Sequence, residues 1–264
     1  MTRYTMLIVF AAMLSCPVLF AGTPEGLTFY ASFNQTVDAD FSVAKTTCNS
    51  PAQLTDENKG ISGKGALVCW DNLEDFADVK ARDSQPRQVR ELEFANAGVF
   101  NPEAGTVEMW IKPYFNGILP TQEGSYEIYY LLNVRNSKIS GKGGLAFAIY
   151  RAVSGTQRYI TVNFNVDGND EQPPSSCCFE VSNWKAKEWH HIAFTWDAAQ
   201  KVLYLDGGKK AELKIPGKIL AQQPEFQLGC SWSSTSIFQG VIDEVKIYDR
   251  VMYHDTFSPK QEKQ

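Results

Sequence analysis

The stretch GVIDEVKIYDR, Gly240 to Arg250, places two adjacent acids, Asp243 and Glu244, in a run that otherwise reads as a β-strand. Strand side chains alternate between faces. That rule predicts Asp243 on an apolar side with Val241, Val245 and Ile247, and Glu244 on the other with Ile242, Lys246 and Tyr248. A carboxylate among apolar side chains is costly unless something compensates it. Asp243 is therefore a candidate catalytic acid, cation ligand or hydrogen-bonded structural acid. Glycosidic hydrolysis needs two carboxyl groups facing each other, and neighbours on a regular strand point apart. Glu91 and Glu93 in ELEF have same-face spacing but no third acid and no aromatic-rich context, so they are expected to be surface charge. There is no GxSxG elbow. Of the three histidines, His190 and His191 straddle a strand start, one expected to face the core and the other solvent; His254 stands alone. The glycines of SGKG lack the spacing and following helix of a phosphate loop. No catalytic constellation emerges.

Binding chemistry rests on the tryptophans. Sugar sites lay flat aromatic rings against sugar faces and surround them with amides and hydroxyls. Trp110 and Trp196 lie within strand-like runs and are expected in the core, and Trp184 and Trp189 flank the SNWKAKEWHH turn. Trp70 in CWDNLEDF and Trp232 in GCSWSSTS lie just past strand ends among polar residues. These two are the candidate platforms, with Asp71, Asn72 and Ser231 as polar partners. The alternative, which residue statistics favour for each, is an edge tryptophan half buried against its own loop.

The cysteines say where such chemistry would take place. MTRYT followed by the apolar run Met6 to Ala21 has the layout of a secretory signal, with cleavage expected after Ala21. A retained anchor or lipidation at Cys16 would be the only membrane attachment. Export implies a secreted, periplasmic or cell-surface protein, where disulfides are plausible. Cys48 and Cys69 bracket a turn-rich segment and are the expected pair, and either Cys177 or Cys178 could pair with Cys230. Zinc is disfavoured, since no CxxC occurs and no histidine has ligand spacing to the cysteines.

The chain that must position these residues has 264 residues, 44% hydrophobic and 21% charged, with a formal net charge of −5 and no long run of either sign. A nucleic-acid partner is disfavoured, because phosphate binding needs a concentrated basic surface. Short runs rich in β-branched and aromatic residues dominate, from LTFYASF and GTVEMWIKP to GLAFAIY, YITVNFNV, CCFEVS and WHHIAFTWD, separated by Gly, Pro, Asn, Asp and Ser. LYLDGGKKAEL carries a hairpin signal at Asp206-Gly207-Gly208. Residues 70 to 93 form one charge-dense interval, expected to be an elaborated loop. The pattern predicts an all-β, two-sheet sandwich or jelly roll as a single domain over 22–255, after a signal at 1–21 and before a polar tail at 256–264.

Several segments, in order, resemble the LamG-like jelly-roll domains of the concanavalin A-like lectin/glucanase superfamily. They are EGLTFYASFN, SGKGALV, FNPEAGTVEMWIKP, WHHIAFTWDAAQKVLYLDGG and GVIDEVKIYDRVM. The stretch from Tyr114 to Ser182 fits only loosely, and the first strand ends in Asn34 where the family commonly has Asp. The laminarinase-like Glu-x-Asp-x-x-Glu triplet is missing. The resemblance implies a non-catalytic binder of glycan, or of an extracellular protein, with a diverged glycoside hydrolase as a further alternative. It also implies a calcium site where first and last strands meet, formed by Asp243 and Asn34, a carbonyl from the Ser62 to Gly65 turn, and Asp38 or Asp40. The alternative for Asp243 is an acceptor of backbone N–H bonds that pins a neighbouring turn. Asn34-Gln35-Thr36 is also a glycosylation sequon.

Overall fold

The computed structural model describes residues 23–44, 53–54, 60–69, 92–118, 127–134, 144–151, 155–167, 174–221, 223–231 and 236–254. The expected signal, Cys16, Cys48, Trp70, Asp71, Asn72, Glu91, Trp232 and the tail lie outside them. The described elements are all strands, and they form two antiparallel sheets.

The larger sheet contains β1 (Leu27–Ala31), β2 (Phe41–Ser42), β3 (Gln53–Leu54), β4 (Leu67–Val68), β6 (Gly105–Pro113), β11 (His190–Trp196), β12 (Lys201–Leu205), β13 (Gly208–Leu213) and β15 (Gly240–Tyr248). Its order is β13-β12-β11-β6-β15-β1-β2, with β4 also paired to β15 and β3 to β4. The smaller sheet contains β5 (Leu92–Ala95), β7 (Glu127–Asn133), β8 (Leu145–Arg151), β9 (Tyr159–Phe164), β10 (Ser175–Glu180) and β14 (Glu225–Leu228). Its order is β10-β9-β8-β7-β14-β5. The first strand thus lies beside the last, a pairing that joins the two ends of the domain.

The core is built by alternation. Val107, Met109 and Ile111 of β6, Ile192, Phe194 and Trp196 of β11, and Ile160, Val162 and Phe164 of β9 are all sealed between the sheets. Rings bridge the layers. Phe29 of β1 meets Phe94 of β5 edge-on at 4.9 Å, and Phe194 of β11 meets Phe147 of β8 at 5.9 Å. Each fully buried Phe contributes about 1.5–3 kcal/mol. The β12–β13 turn takes φ +48° at Asp206 and +84° at Gly207, the two positive values that a tight two-residue hairpin requires.

The end of the interval expected as a loop instead supplies edge strand β5, which alternates, with Leu92 and Phe94 in the core and Glu93 on the outer side. One strand departs from the alternation. In β15 the pairing with β6 shifts between Asp243 and Lys246, and Glu244 takes φ +51°. This bulge places one extra residue opposite β6 and resets the faces.

Candidate functional site

The bulge decides where Asp243 points. Ile242, opposite the core residue Ile111, faces the core, as do Val245 and Ile247 beyond the bulge. Asp243 pairs with Trp110 on the outer face, and Glu244 lies on that face too, where its Oε2 accepts from the Tyr30 hydroxyl at 2.9 Å. Strict alternation therefore misplaces Asp243, which is not on the core side, while Glu244 shares the outer face with Lys246 as expected. Trp110 is corrected in the same way, being half-buried on the outer face rather than in the core. Trp196 is core as expected, and Trp184 packs face to face on His190 at 3.9 Å. His191 lies on the outer face but is buried rather than exposed to solvent, its ring against Trp110.

Asp243 is sealed from water by the 60–65 turn. Its Oδ2 accepts the Ile61 N–H at 2.8 Å, and its Oδ1 accepts the Glu244 N–H at 2.9 Å. Gly60 is needed there, because a Cβ would sit 2.9 Å from Oδ2. Burial pushes the acid up to about 7, against the pull of those two N–H donors. The same turn reaches Asn34, whose Oδ1 accepts from the Ser62 hydroxyl at 3.3 Å. The structure thus brings Asp243, Asn34 and the turn together. Calcium, however, takes about six to eight oxygens. Asp40 spends its Oδ2 on the Ser32 N–H at 2.6 Å, and Asp38 bonds Thr36. Among the described residues no group of three His, Cys, Asp or Glu converges. With both its oxygens accepting backbone N–H bonds, Asp243 has the geometry of a hydrogen-bonded structural acid.

A second acid lies nearby on the outer face. Glu108 is buried, accepts from the Tyr248 and Tyr253 hydroxyls, and lies 3.5 Å from His191 Nε2. Burial raises the Glu108 carboxyl and lowers the His191 imidazole to about 3, so the histidine is neutral. Tyr253 packs over Ala193, Val202 and Tyr204, and closes Glu108 in. A hydrolase needs its two carboxyls open to a groove, and Glu108 is shut away from one.

The cysteines are rearranged relative to expectation. Cys178 lies on β10 and Cys230 just past β14, with β9, β8 and β7 between them. Four strand spacings amount to about 19 Å, whereas a disulfide needs Cα atoms within about 7 Å. Neither Cys178 nor Cys177, which faces the core on the same strand, reaches Cys230. Instead Cys69 meets the β14 terminus: a Cβ on Gly229 would lie 2.5 Å from its Sγ. The chain neighbours of Trp70 and of Trp232 therefore converge at one corner, where Ser231 is nearly closed from solvent.

A partly exposed polar group lies elsewhere, on the outer face of β8, β9 and β10, where Ser176 is exposed and Tyr150, Tyr159 and Asn163 are half-buried, while Thr161, Ala146 and Ala148 are buried. Register places Tyr150 opposite Tyr159, Ala148 opposite Thr161 and Cys178, and Ala146 opposite Asn163 and Ser176. The Tyr150 and Tyr159 rings stack at 5.3 Å, and both are half-buried. Asn163 Oδ1 accepts from Ser176 Oγ at 2.6 Å and from Thr161 Oγ1 at 3.3 Å. With its oxygen doubly engaged, the amide turns its two N–H donors away from those hydroxyls, and the exposed Ser176 hydroxyl keeps lone pairs to offer, whereas Thr161 is buried and acts as a brace. The row continues inward through Asn133 to Gln227, which donates to Glu93 Oε2 at 3.1 Å, but that part is closed from solvent. None of Tyr150, Tyr159, Thr161, Asn163 and Ser176 was a sequence candidate. Their signal was the spacing of Tyr159, Thr161 and Asn163 in YITVNFNV, and it fell in the stretch that matched the family pattern only loosely.

A family model described as Concanavalin A-like lectin/glucanases superfamily matches residues 90–256, more than half of the chain. The chain belongs to that superfamily. No curated protein matches the sequence. Among solved structures, the superfamily member described here is similar to the botulinum neurotoxin type G receptor-binding domain, with 14% identity and a TM-score of 0.54 over 86% of this chain and 49% of that one. It thus spans about half the length of that structure. It is also similar to domain 4 of the extracellular arabinanase AbnA from Geobacillus stearothermophilus, in complex with arabinotriose (17%, 0.48, 90% and 96%). A third is the carbohydrate-binding module of the Ruminococcus gnavus IT-sialidase bound to α2,3-sialyllactose (18%, 0.41, 57% and 78%). At such identities the likeness is one of fold.

Proposed function

We propose that the protein is a non-catalytic glycan-binding module that acts outside the cytoplasm after export. The observation that carries this reading is the oriented group Ser176–Asn163–Thr161 beside the stacked Tyr150 and Tyr159. A sugar presents neighbouring hydroxyls, each both donor and acceptor. The face answers with the Asn163 amide donors beside the exposed Ser176 hydroxyl, both already held in place with Thr161 as a buried brace, which lowers the ordering cost of binding. Membership in a superfamily of lectins and glucanases supports the same class. The burial of Glu108 under Tyr253 weighs against hydrolysis. A protein-binding role would call for a contiguous apolar patch. Among the described residues, the exposed large hydrophobics Val43, Ile118 and Met252 lie outside the strands, in three separate connections or ends of the chain.

Trp70, Asp71, Asn72, Ser231 and Trp232 remain the second set of candidates, since Cys69, next to Trp70 in sequence, lies against Gly229 at the end of β14. A glycan array followed by calorimetric titration separates the two. Asn163→Asp keeps the acceptor for Ser176 and Thr161 and removes both N–H donors. It is expected to weaken binding by about tenfold or more with little change in unfolding temperature. Unchanged binding in Asn163→Asp, with loss in Trp70→Ala or Trp232→Ala, would move the site to the corner. A mature protein that binds no member of the array would refute the reading.

A further inference from the structure

The outer face of the larger sheet carries a second arrangement, in which lysines surround a tryptophan. Trp110 of β6 is partly exposed there, between Asp243 of β15 and His191 of β11, whose ring meets it edge-on at 4.9 Å. Lysines approach it from three directions. Lys112, two residues along β6 on the same face, holds its Nζ 4.6 Å over the ring of partly exposed Trp189. Lys246 of β15 pairs with Glu108, two residues back along β6; its Nζ lies 3.4 Å from Glu244 Oε2 and 5.3 Å over the Tyr30 ring. Exposed Lys64 belongs to the turn that caps Asp243, the strand partner of Trp110. The acids of this face offset those charges only in part. Burial pushes Glu108 upward and Asp243 to about 7, against the pull of Lys246 on the first and of Lys112 on the second. Glu244 is engaged by the Tyr30 hydroxyl and Lys246, and Asp206 by His190 and the His191 N–H. Exposed Glu188, beside Trp189, is neighboured in sequence by exposed Lys187. In a chain of net charge −5, three lysines set around one tryptophan make a local reversal of sign.

We infer that the Trp110 face is a separate binding site for an acidic glycan, with a sugar ring packed on Trp110 and its carboxylate or sulfate drawn to Lys64, Lys112 and Lys246. The site lies on the opposite side of the sandwich from the β8–β10 face and does not depend on it. An indole takes the apolar side of a sugar ring while the ring hydroxyls stay in water. Ammonium groups act as point charges on flexible stems, without the fixed fork of an arginine. They therefore accept a carboxylate or a sulfate at several positions along a chain of sugars. Attraction between exposed charges is screened over about 8 Å at physiological ionic strength, so affinity for such a ligand falls as salt is added.

The test is calorimetric titration of the mature chain with an oligouronate, and with an oligoglutamate of equal charge, at low and high salt. The expected result is oligouronate binding that weakens with salt, falls about fivefold or more in Lys112→Gln and in Lys246→Gln, and falls again in Trp110→Leu. Oligoglutamate should bind more weakly and ignore Trp110→Leu. The unfolding temperature of each variant is measured alongside, and Lys64→Gln, on an exposed turn, removes a charge without touching the sheet. Asn163→Asp should leave oligouronate binding unchanged. No oligouronate binding, or binding indifferent to all three lysine variants, would overturn the inference, as would loss in Asn163→Asp, which would put the ligand on β8–β10. Equal binding of oligoglutamate would overturn the sugar assignment. A neutral oligosaccharide titrated into wild type and Asn163→Asp judges the β8–β10 reading separately, whichever way the acidic ligand behaves.

Discussion

Asp243 illustrates how two opposed effects set one residue's chemistry. Two backbone N–H groups favour the carboxylate, while complete burial favours the neutral acid, and burial prevails. The native value of about 7 lies above the ordinary 3.8, so the folded state holds the proton more tightly. Stabilisation linked to that proton is fully present below about pH 4 and is lost as pH rises through about 7. We therefore expect the wild-type urea midpoint to fall between about pH 5 and about pH 8 relative to Asp243→Asn. His191 acts in the opposite sense: its imidazole is lowered from 6.5 to about 3, so its contribution is lost as pH falls below the ordinary value. Comparison with Asp243→Asn cancels that term. Asp243→Ala leaves the Ile61 N–H without its acceptor and should cost about 1–3 kcal/mol, seen as faster exchange of the Ile61 amide. Adding calcium or chelator should leave the wild-type midpoint unchanged; a rise with calcium that vanishes in Asp243→Ala would show a ligand instead.

At the scale of elements, the bulge in β15 and the strand order account for most differences between expectation and structure. Period-two alternation correctly orients most strands, because one face of each sheet is buried and the register is enforced by packing. It fails in β15, where a positive φ at Glu244 inserts an extra residue, and a glutamate gives no advance sign of that conformation. Gly60 belongs to the same arrangement. Gly60→Ala would push a methyl group against Asp243 Oδ2 and the Lys64 and Gly65 carbonyls, and should destabilise by about 1–3 kcal/mol, measurable by urea denaturation. The cysteine pairing was illegible for a different reason, since sequence spacing carries no information about strand order. With β9, β8 and β7 intervening, a non-reducing peptide map of oxidised protein should contain no Cys178–Cys230 link. Finding that link would contradict the order of the smaller sheet.

The whole molecule closes its first strand against its last and leaves Ser176, with half-buried Tyr150, Tyr159 and Asn163, reachable on the outer face of β8–β10. The superfamily was legible from ordered strand-and-turn signatures, because those residues build the core and its turns. The candidate site was not, because binding side chains sit on outward positions that the fold does not dictate. Tyr150, Tyr159, Thr161, Asn163 and Ser176 become a group only when three strands are laid side by side. The central claim is that this face holds the ligand. Amide chemical-shift mapping of the mature chain, titrated with the tightest-binding oligosaccharide from an array, tests it most directly. The account predicts shifts concentrated at Tyr150, Tyr159 to Asn163 and Ser176 to Glu180. Shifts confined to Cys69 and Ser231, with β8–β10 unmoved, would contradict it.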